Sequence, residues 1–571
     1  MSGNRWLGAA LRMSILLGAA APDLAAAPTG DPPNVLLIIA DDLGVDRVGA
    51  YAAHPDPGRT PVIDQLATEG VLFRNAYSDP LCSPTRATML TGRYGYRTGM
   101  TDALNWELSL RELPLSEITI PEALPEVYRS AAIGKWHLTT ADLSGPLRPL
   151  LQGFDHHAGT LSNIDPPESY FEFTKSVDGV PTRVAEYATT DTVNDALAWI
   201  RDTPEPWFVW LAFNAPHSPW HKPPAELHGY DLPGPVSADI PLHTKAAIEA
   251  MDTEIGRLLG GIEPEVLAET IIVFVGDNGT AGPATSAPFD PQHAKGKVYE
   301  GGVHVPLIVK GPGVAVGAAS HALVHTSDLF ATVLELAGGD ASSGVDSVSF
   351  VPHLSQPTLP SQRSHVYTGL YAPLGYYPGD KHLRSVRERR FKLLHQRHDL
   401  IGLDQVEMYD LVADPLELND LLAGPLSPQA QVAHDQLQAL LDQHLPPWEL
   451  LDGGIPGPFG DVVLRGDGAL LPNEDFTVTL RRAPPNSTTL LAFALALLDA
   501  PLYGGNLVPD ITFAVSGVSA MTSDATGGID LGGRWPAGVP GDLHLYMQFW
   551  VVDASAPFGW SASNGLAAVA P

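Results

Sequence analysis

Four polar segments in the sequence each come directly after an apolar run. The runs are 35–40, 128–133, 207–213 and 270–275, and the polar residues after them are Asp41 and Asp42, Lys135 and His137, His217, and Asp277 and Asn278. Continuous apolar runs without alternation are typical of strands buried on both faces of a mostly parallel sheet. Because ligands bind outside the carboxyl ends of such strands, we expect these polar side chains to gather at one edge.

Three of these residues are carboxylates, Asp41, Asp42 and Asp277, and a fourth, Asn278, offers an amide oxygen. Two carboxylates about 4 Å apart repel by roughly 4 kcal/mol at an effective dielectric near 20, so a shared site needs a cation. Oxygen donors favour a hard ion, Ca²⁺ or Mg²⁺. For either pair alone, ordinary strand-to-loop punctuation is an equally good interpretation. Together, and joined to the cysteine segment below, they favour a metal site.

Cys82 is the only cysteine in the chain, so it cannot form a disulfide within it. Pro84 suits a first helical turn and Gly92 a helix end, which predicts a short helix beginning near Cys82. A helix N-terminus favours a thiolate or a bound oxyanion, and Arg86 would lie one turn on, on the same face. The alternative is a buried structural cysteine.

The elements that must position these residues are those of an α/β fold. Helical periodicity appears over 191–201 and 243–259, between the strand-like runs. We therefore predict a mostly parallel central sheet flanked by helices, with a small antiparallel subdomain and an extra all-β domain after it.

The first 27 residues have the pattern of a secretory signal peptide. Arg5 and Arg12 precede an apolar run over 13–21, and small residues over 25–27 offer a cleavage site. The run is well short of the roughly 20 residues that span a bilayer. We expect a secreted or periplasmic protein without a membrane span. The net charge of -32 argues against nucleic-acid binding.

At the cysteine segment the sequence resembles the type I sulfatases of the alkaline-phosphatase-like superfamily. Cys82-Ser83-Pro84-Thr85-Arg86 with Thr91-Gly92 has the form Cys-x-Pro-Ser/Thr-Arg with a downstream Thr-Gly that marks their active site. The resemblance runs in order through further motifs at 40–44, 134–138, 215–219, 276–279, 295–302 and 407–417.

The resemblance implies a site, residue by residue. In this family a maturation enzyme oxidises the cysteine to formylglycine, whose hydrate is the nucleophile. It implies that Asp41, Asp42, Asp277 and Asn278 bind a divalent cation, usually Ca²⁺, with the modified Cys82 completing the shell. It also implies that Arg86 and His137 contact the hydrate and that Lys135, His217 and Lys295 meet the sulfate. We expect His217 to protonate the leaving alcohol.

Lys295 is favoured over Lys297 because the family's lysine lies five residues before the glutamate of Glu-Gly-Gly, here Glu300.

The activity implied is hydrolysis of a sulfuric ester, on a sulfated carbohydrate or an aryl sulfate. A phosphomonoester or phosphonate monoester hydrolase of the same superfamily is the alternative. A non-catalytic binding protein with the same body is a third possibility, against which the intact nucleophile, metal ligands and lysines argue.

The predicted domains follow from the resemblance and, after residue 450, from composition. Strand-like pieces at 365–370, 383–386, 391–395 and 407–410 resemble the small antiparallel sheet that packs on the core of this family. After the signal peptide at 1–27 come a catalytic core at 28–363 and a small antiparallel subdomain at 364–450, closed by a helix over 427–443. A Gly- and Pro-rich linker at 451–460 leads to a β-sandwich-like domain at 461–571. Strands are expected there at 476–480, 511–515 and 543–552.

Overall fold

A computed structural model describes most of the chain. The described residues are 32–106, 109, 112–141, 144–372, 381–398, 402–444, 448–451, 453–468, 470, 472–541 and 543–570. The predicted signal peptide at 1–27 lies outside them. Within these ranges, no helix combines the length and the apolar character needed to cross a bilayer.

Ten strands form the main sheet, in the order β10-β2-β9-β8-β1-β7-β3-β4-β5-β6. They are β1 (Asn34–Ala40), β2 (Val71–Tyr77), β3 (Arg129–Gly134), β4 (His156–Gly159), β5 (Phe173–Val177), β6 (Val180–Val184), β7 (Trp207–Ala212), β8 (Thr270–Gly276), β9 (Leu307–Lys310) and β10 (Ala318–His325).

The centre of this sheet confirms the predicted strands. β8, β1, β7 and β3 are neighbours and all pair in parallel. Their side chains are buried almost throughout, as continuous apolar runs require. β9 runs antiparallel to β8 and β2, so the sheet is mixed towards that edge. The carboxyl ends of the four predicted strands therefore lie at the same edge of the sheet.

Helices cover both faces of the sheet, each face with its own apolar core. Two of them confirm the predicted helical segments and extend them: α6 covers 188–202 and α7 covers 240–261. The helices are α1 (Pro61–Glu69), α2 (Cys82–Thr91), α3 (Gly95–Thr98), α4 (Ile120–Ala123), α5 (Arg148–Leu151), α6 (Ala188–Asp202), α7 (Ile240–Gly261), α8 (Pro264–Ala268), α9 (Glu300–Val303), α10 (Asp328–Ala337), α11 (Val351–Ser355) and α12 (Pro428–Gln443).

A four-stranded antiparallel sheet follows the main sheet, with α12 packed on β12 and β13 through a shared apolar cluster. The strands overlap the four that the sequence predicts in this region. They are β11 (Val366–Ala372), β12 (Lys381–Arg387), β13 (Phe391–His398) and β14 (Leu403–Asp410).

A buried ion network joins this small sheet to the main body. The ammonium of Lys392, on β13, lies 3.0 Å from Glu300 Oε1 and 3.0 Å from Glu417 Oε1. Glu417 Oε2 accepts a hydrogen bond of 2.5 Å from the backbone N–H of Glu300. Lys392 thus pairs with two buried carboxylates, and the Arg387 guanidinium lies 3.8 Å from Glu300 Oε2 as a second cation. Burial makes such a network sensitive to loss of any member.

The C-terminal region is all-β. A six-stranded sheet and a three-stranded sheet enclose one apolar core, as in a sandwich, and a two-stranded hairpin packs on a smaller apolar cluster with Ile455 and Trp550. The strands are β15 (Trp448–Leu451), β16 (Val463–Asp467), β17 (Asp475–Arg481), β18 (Thr488–Ala494), β19 (Leu497–Leu502), β20 (Gly505–Pro509), β21 (Ser516–Thr522), β22 (Ile529–Arg534), β23 (His544–Val552), β24 (Trp560–Ala562) and β25 (Gly565–Val569).

One expectation for this region needs correction. The strand predicted at 511–515 is wrong: those residues form turns and bends between β20 and β21. Within the segment predicted as a linker at 451–460, Ile455 bridges Ala562, and β15 just before it pairs with β25. The linker itself stays a prediction. Apolar residues near Gly and Pro predicted a strand at 511–515. The segment instead forms the turn that connects the β19–β20 hairpin to β21. The domain boundaries themselves stay a prediction.

Replacing Lys392 with Met should lower the free energy of unfolding by about 3 to 5 kcal/mol, because two buried carboxylates lose their cation. Lys310→Met is the control, since its partner Glu69 is 2.5 Å away in a pair that is partly exposed to solvent. It should change stability by less than about 1 kcal/mol. Urea unfolding of the two variants at pH 7.5 measures both, and equal losses would contradict a structural role for the network.

Candidate active site

The carboxyl ends of β1 and β8 bring the predicted metal ligands together. The backbone N–H of Asp42 donates to Asp277 Oδ1 at 3.1 Å, and Asn278 Nδ2 donates to Asp42 Oδ1 at 2.8 Å. All four residues, Asp41 included, are buried. Asp42 takes a φ of +67°, a left-handed conformation that is strained for a side chain other than Gly and that clusters at functional sites. The strand register thus fixes the donor set.

Cys82 is the first residue of α2, which ends at Gly92 with a φ of +65°, so the predicted helix is confirmed. The sequence favours a thiolate or a bound oxyanion at this helix start, and burial argues against the thiolate. Burial, with further contributions from Asp41 and Asp277, raises the pKa of the Cys82 thiol to about 11 despite two nearby lysines. Desolvation therefore favours the protonated thiol over the thiolate.

Two lysines reach into the cluster. Lys295 Nζ lies 2.5 Å from Asp42 Oδ1 and 3.6 Å from Cys82 Sγ. Lys135 Nζ bonds Asp41 Oδ2. Of the two lysines in 295–297, Lys295 is thus the one whose ammonium meets the cysteine. Both ammonium groups lie where they would contact an oxyanion bound beside Cys82.

Arg86 lies one helical turn after Cys82, fully buried, and grips the metal-ligand set. Its Nε and Nη2 donate to Asp277 Oδ2 at 3.1 and 2.8 Å, and its Nη1 donates to the carbonyl of Lys135 at 2.7 Å. The guanidinium therefore fixes one carboxylate and one strand end at once.

His137 has the protonation state of a base. Burial and the nearby Lys135 hold the pKa of His137 well below its usual range, so the ring is neutral. Its Nε2 lies 2.9 Å from the carbonyl oxygen of Leu104, which can only accept, so Nε2 carries the proton. Nδ1 is buried and, within the part of the chain that the structure describes, has no hydrogen-bond partner, which leaves its lone pair available. The backbone is left-handed here, with a φ of +62°.

His217 is oriented by residues that the sequence analysis did not identify. Its Nδ1 lies 2.6 Å from the carbonyl of Ser218. The hydroxyl of Tyr170 donates to the carbonyls of Asn214 and His217 at 2.6 and 2.8 Å, which fixes the turn. Tyr170 is 47 positions from His217, and nothing in the local sequence signals that contact. Burial and Lys295 lower the pKa of His217.

The residues present fit a metal ion. The ligand atoms of Asp41, Asp42, Cys82 and His217 all lie within 4.8 Å of one another. Asp41 Oδ1 and Asn278 Oδ1 are buried and accept no hydrogen bond, as expected of oxygens that serve a cation.

Charge in the cluster is strongly coupled. Burial alone would raise the pKa of Asp41, but Lys135, with further contributions from His217, Arg86 and Lys295, holds it well below its usual range. Burial and the neighbouring Asp41 raise the pKa of Asp277. His217, predicted to meet the sulfate and to protonate the leaving alcohol, also lies close to the candidate metal ligands.

A sequence model of the family described as Sulfatase matches residues 33–339, more than half of the chain. The chain belongs to the sulfatase family. Its reaction is hydrolysis of a sulfuric ester, and the phosphomonoester alternative is not favoured. A second model, described as the C-terminal region of N-sulphoglucosamine sulphohydrolase, matches residues 292–445, which include the small antiparallel sheet of this sulfatase.

Curated relatives of the sulfatase include N-acetylgalactosamine-6-sulfatase of Sus scrofa, 30% identical over 65% of this chain and 76% of the relative. Arylsulfatase A of Homo sapiens is 30% identical over 72% of this chain and 88% of the relative.

Among solved structures, Ps i-CgsB in complex with a neocarrahexaose has a TM-score of 0.61 at 23% identity, covering 72% of this sulfatase and 92% of that chain. BT4656 in complex with D-glucosamine-2-N,6-O-disulfate has a TM-score of 0.56 at 22% identity, covering 72% and 97%. These similarities support the fold.

Calorimetric titration with CaCl₂ and with MgCl₂ should detect one bound divalent cation per chain. Asp277→Asn and Asn278→Ala should each weaken that binding by at least about tenfold, because each removes charge or an oxygen from the cluster. Asp56→Asn, which neutralises an exposed carboxylate outside the cluster, is the control and should bind as the wild type does. Unchanged binding in all three variants would contradict this location of the metal.

Proposed function

We propose that this sulfatase removes sulfate from a sulfated carbohydrate, using Cys82 converted to formylglycine and a bound Ca²⁺. The observation that carries the proposal is the position of Cys82. Its sulfur lies at a helix start, 3.6 Å from the Lys295 ammonium and among buried carboxylates, in a chain of the sulfatase family. A cysteine with only a structural role does not require a neighbouring ammonium group and buried carboxylates.

Asp41, Asp42, Asp277 and Asn278 would hold the Ca²⁺, with His217 within reach. Buried carboxylate and amide oxygens suit this ion. When present, formylglycine supplies the nucleophilic oxygen and the cation supplies positive charge beside it. All other contributions come from side chains that are already in place.

The cationic side chains bind and orient the sulfate. Lys295 and Lys135 approach the nucleophile from two different segments, and each is buried or nearly so. In such a dry site, fixed positive charge stabilises the oxygens of the transferring group without reorganising in the transition state. Arg86 contributes indirectly, because it fixes Asp277 and with it the ligand set.

The two histidines have separate proton roles. Nδ1 of the neutral His137 is free to accept a proton from an oxygen bound at position 82. His217 would give a proton to the leaving alcohol from Nε2, since Nδ1 is engaged by the Ser218 carbonyl. Its pKa is lowered by burial and by Lys295, so the protonated form is favoured only towards acidic pH. We infer that turnover on poor leaving groups declines as pH rises.

The names of the relatives support a sulfated sugar as the substrate. N-acetylgalactosamine-6-sulfatase is similar to this chain, and so is arylsulfatase A. We propose sulfated hexoses as the natural substrates and aryl sulfates as small surrogates. Export by the N-terminal segment and a formylglycine-generating maturation enzyme belong to the same proposal.

Cys82→Ala should abolish hydrolysis of 4-nitrophenyl sulfate, because the nucleophile is lost. Ser83→Ala, at the next position on the same helix, is the control and should keep a measurable rate. In the wild type, the mass of the peptide that carries Cys82 should show the loss expected when CH₂SH becomes CHO. An aryl phosphate assayed in parallel should turn over far more slowly. Full turnover by Cys82→Ala would overturn the mechanism.

His217→Asn should lower kcat on a sugar sulfate by about 10² to 10⁴, the usual contribution of a general acid. The loss on 4-nitrophenyl sulfate should be at least about tenfold smaller, because nitrophenolate departs without a proton. His228→Asn, a loop histidine bonded to the Pro223 carbonyl, is the control. Equal losses on the two substrates would argue against the acid role.

A further inference from the structure

A cavity of about 550 Å³ adjoins the catalytic residues and is not used by the mechanism above. Its walls come from two segments, one with Asn105 and Trp106 and the other running from Thr160 to Glu168. The volume lies within the range of about 300 to 1,000 Å³ typical of small-ligand sites. It is large enough for a sugar ring.

Both walls are tied to His137. The ring of His137 bonds the carbonyl of Leu104, next to Asn105, and its backbone N–H donates to the carbonyl of Leu161 at 3.1 Å. The backbone N–H of Trp136 donates to the carbonyl of Thr160 at 2.8 Å. Residues of the cavity wall are therefore hydrogen-bonded to the segment that carries His137.

The charge of the cavity differs from that of the sulfate site. Lys175 is the only Lys or Arg among the described residues that line it. Its ammonium is bound by both oxygens of Asp191 at 2.8 Å and by Asp195 at 2.5 Å. That cation is more than neutralised, and Asp165 adds a further exposed carboxylate to the lining. A second sulfate would meet negative charge here.

The lining instead offers hydrogen-bond acceptors. Among the described residues, none donates a hydrogen bond to the buried Oδ1 of Asn163, so this oxygen keeps its capacity to accept one. Sugar hydroxyls are donors, whereas a sulfate carries only acceptors. Trp106 contributes half-buried aromatic surface suited to the apolar face of a sugar ring.

We propose that this cavity binds an uncharged, hydroxyl-bearing sugar ring next to the sulfated one, and that Asp165 disfavours substrates whose neighbouring ring carries a second sulfate. The inference rests on the proposed function. It assigns the substrate class as a sulfated sugar with an unsulfated neighbour, recognised by Asn163 and Trp106 and selected by charge.

A panel of disaccharides of sulfated hexoses is assayed first. The test then uses the best-hydrolysed pair whose members differ only in a second sulfate on the neighbouring ring. The wild type should prefer the monosulfated form by at least about tenfold in kcat/KM. Asp165→Asn should reduce that preference several-fold. Glu265→Gln, the same loss of one charge at an exposed position on α8, should leave it unchanged.

Asn163→Ala and Trp106→Ala should each lower kcat/KM on the monosulfated disaccharide by about tenfold or more. Both should keep turnover of 4-nitrophenyl sulfate within about twofold, because that substrate is too small to fill the cavity. This second readout also reports that the variants are folded.

The outcomes separate the two proposals. A wild type that hydrolyses 4-nitrophenyl sulfate but turns over no disaccharide of the panel, or that prefers the disulfated form, overturns the assignment of the cavity and leaves the proposed chemistry intact. Parallel losses on both substrates in the Asn163 and Trp106 variants also overturn it. Absence of any sulfate release from the mature enzyme would instead overturn the proposed function.

Discussion

Buried negative charge at the carboxyl ends of β1 and β8 is the constraint on which the catalytic region depends. Asp41, Asp42 and Asp277 lie where water is excluded, so their mutual repulsion is weakly screened. The compensating cations come from separate segments: Arg86 from α2, Lys135 from the end of β3 and Lys295 from a loop after β8. Each of these elements is therefore held in position by the need to neutralise the cluster. A bound divalent cation would add further positive charge to the same cluster.

The loop that carries Lys295 also explains why the small antiparallel sheet matters to the site. Five positions after the catalytic lysine, Glu300 is bound by Lys392 of that sheet, and its backbone is bound by Glu417. The same loop thus has one end at the nucleophile and the other anchored in the subdomain. Because the contact of Glu300 with Lys392 and Glu417 is buried, it is strong only while all of its members are present. The packing of the subdomain and the position of Lys295 therefore depend on each other.

Two places in the molecule differ in their local charge. Lys295 and Lys135 lie in the cluster around Cys82, where an anion is favoured, whereas Lys175 beside the cavity is already bound by two carboxylates. The chain as a whole is strongly acidic. In the function proposed above, the local arrangement of charge, and not its sum, decides where sulfate binds.

Local sequence signals determined the buried strands, the helix that begins at Cys82 and the order of the polar strand ends, because apolar runs and Pro or Gly caps act within a few residues. Tertiary structure alone decided the grip of Arg86 on Asp277, the hold of Tyr170 on His217 and the protonated state of the Cys82 thiol. Those features join positions far apart in the chain or depend on desolvation by everything packed around the group. The turn at 511–515, where a strand was expected, has the same cause: pairing partners, not composition, set strand boundaries.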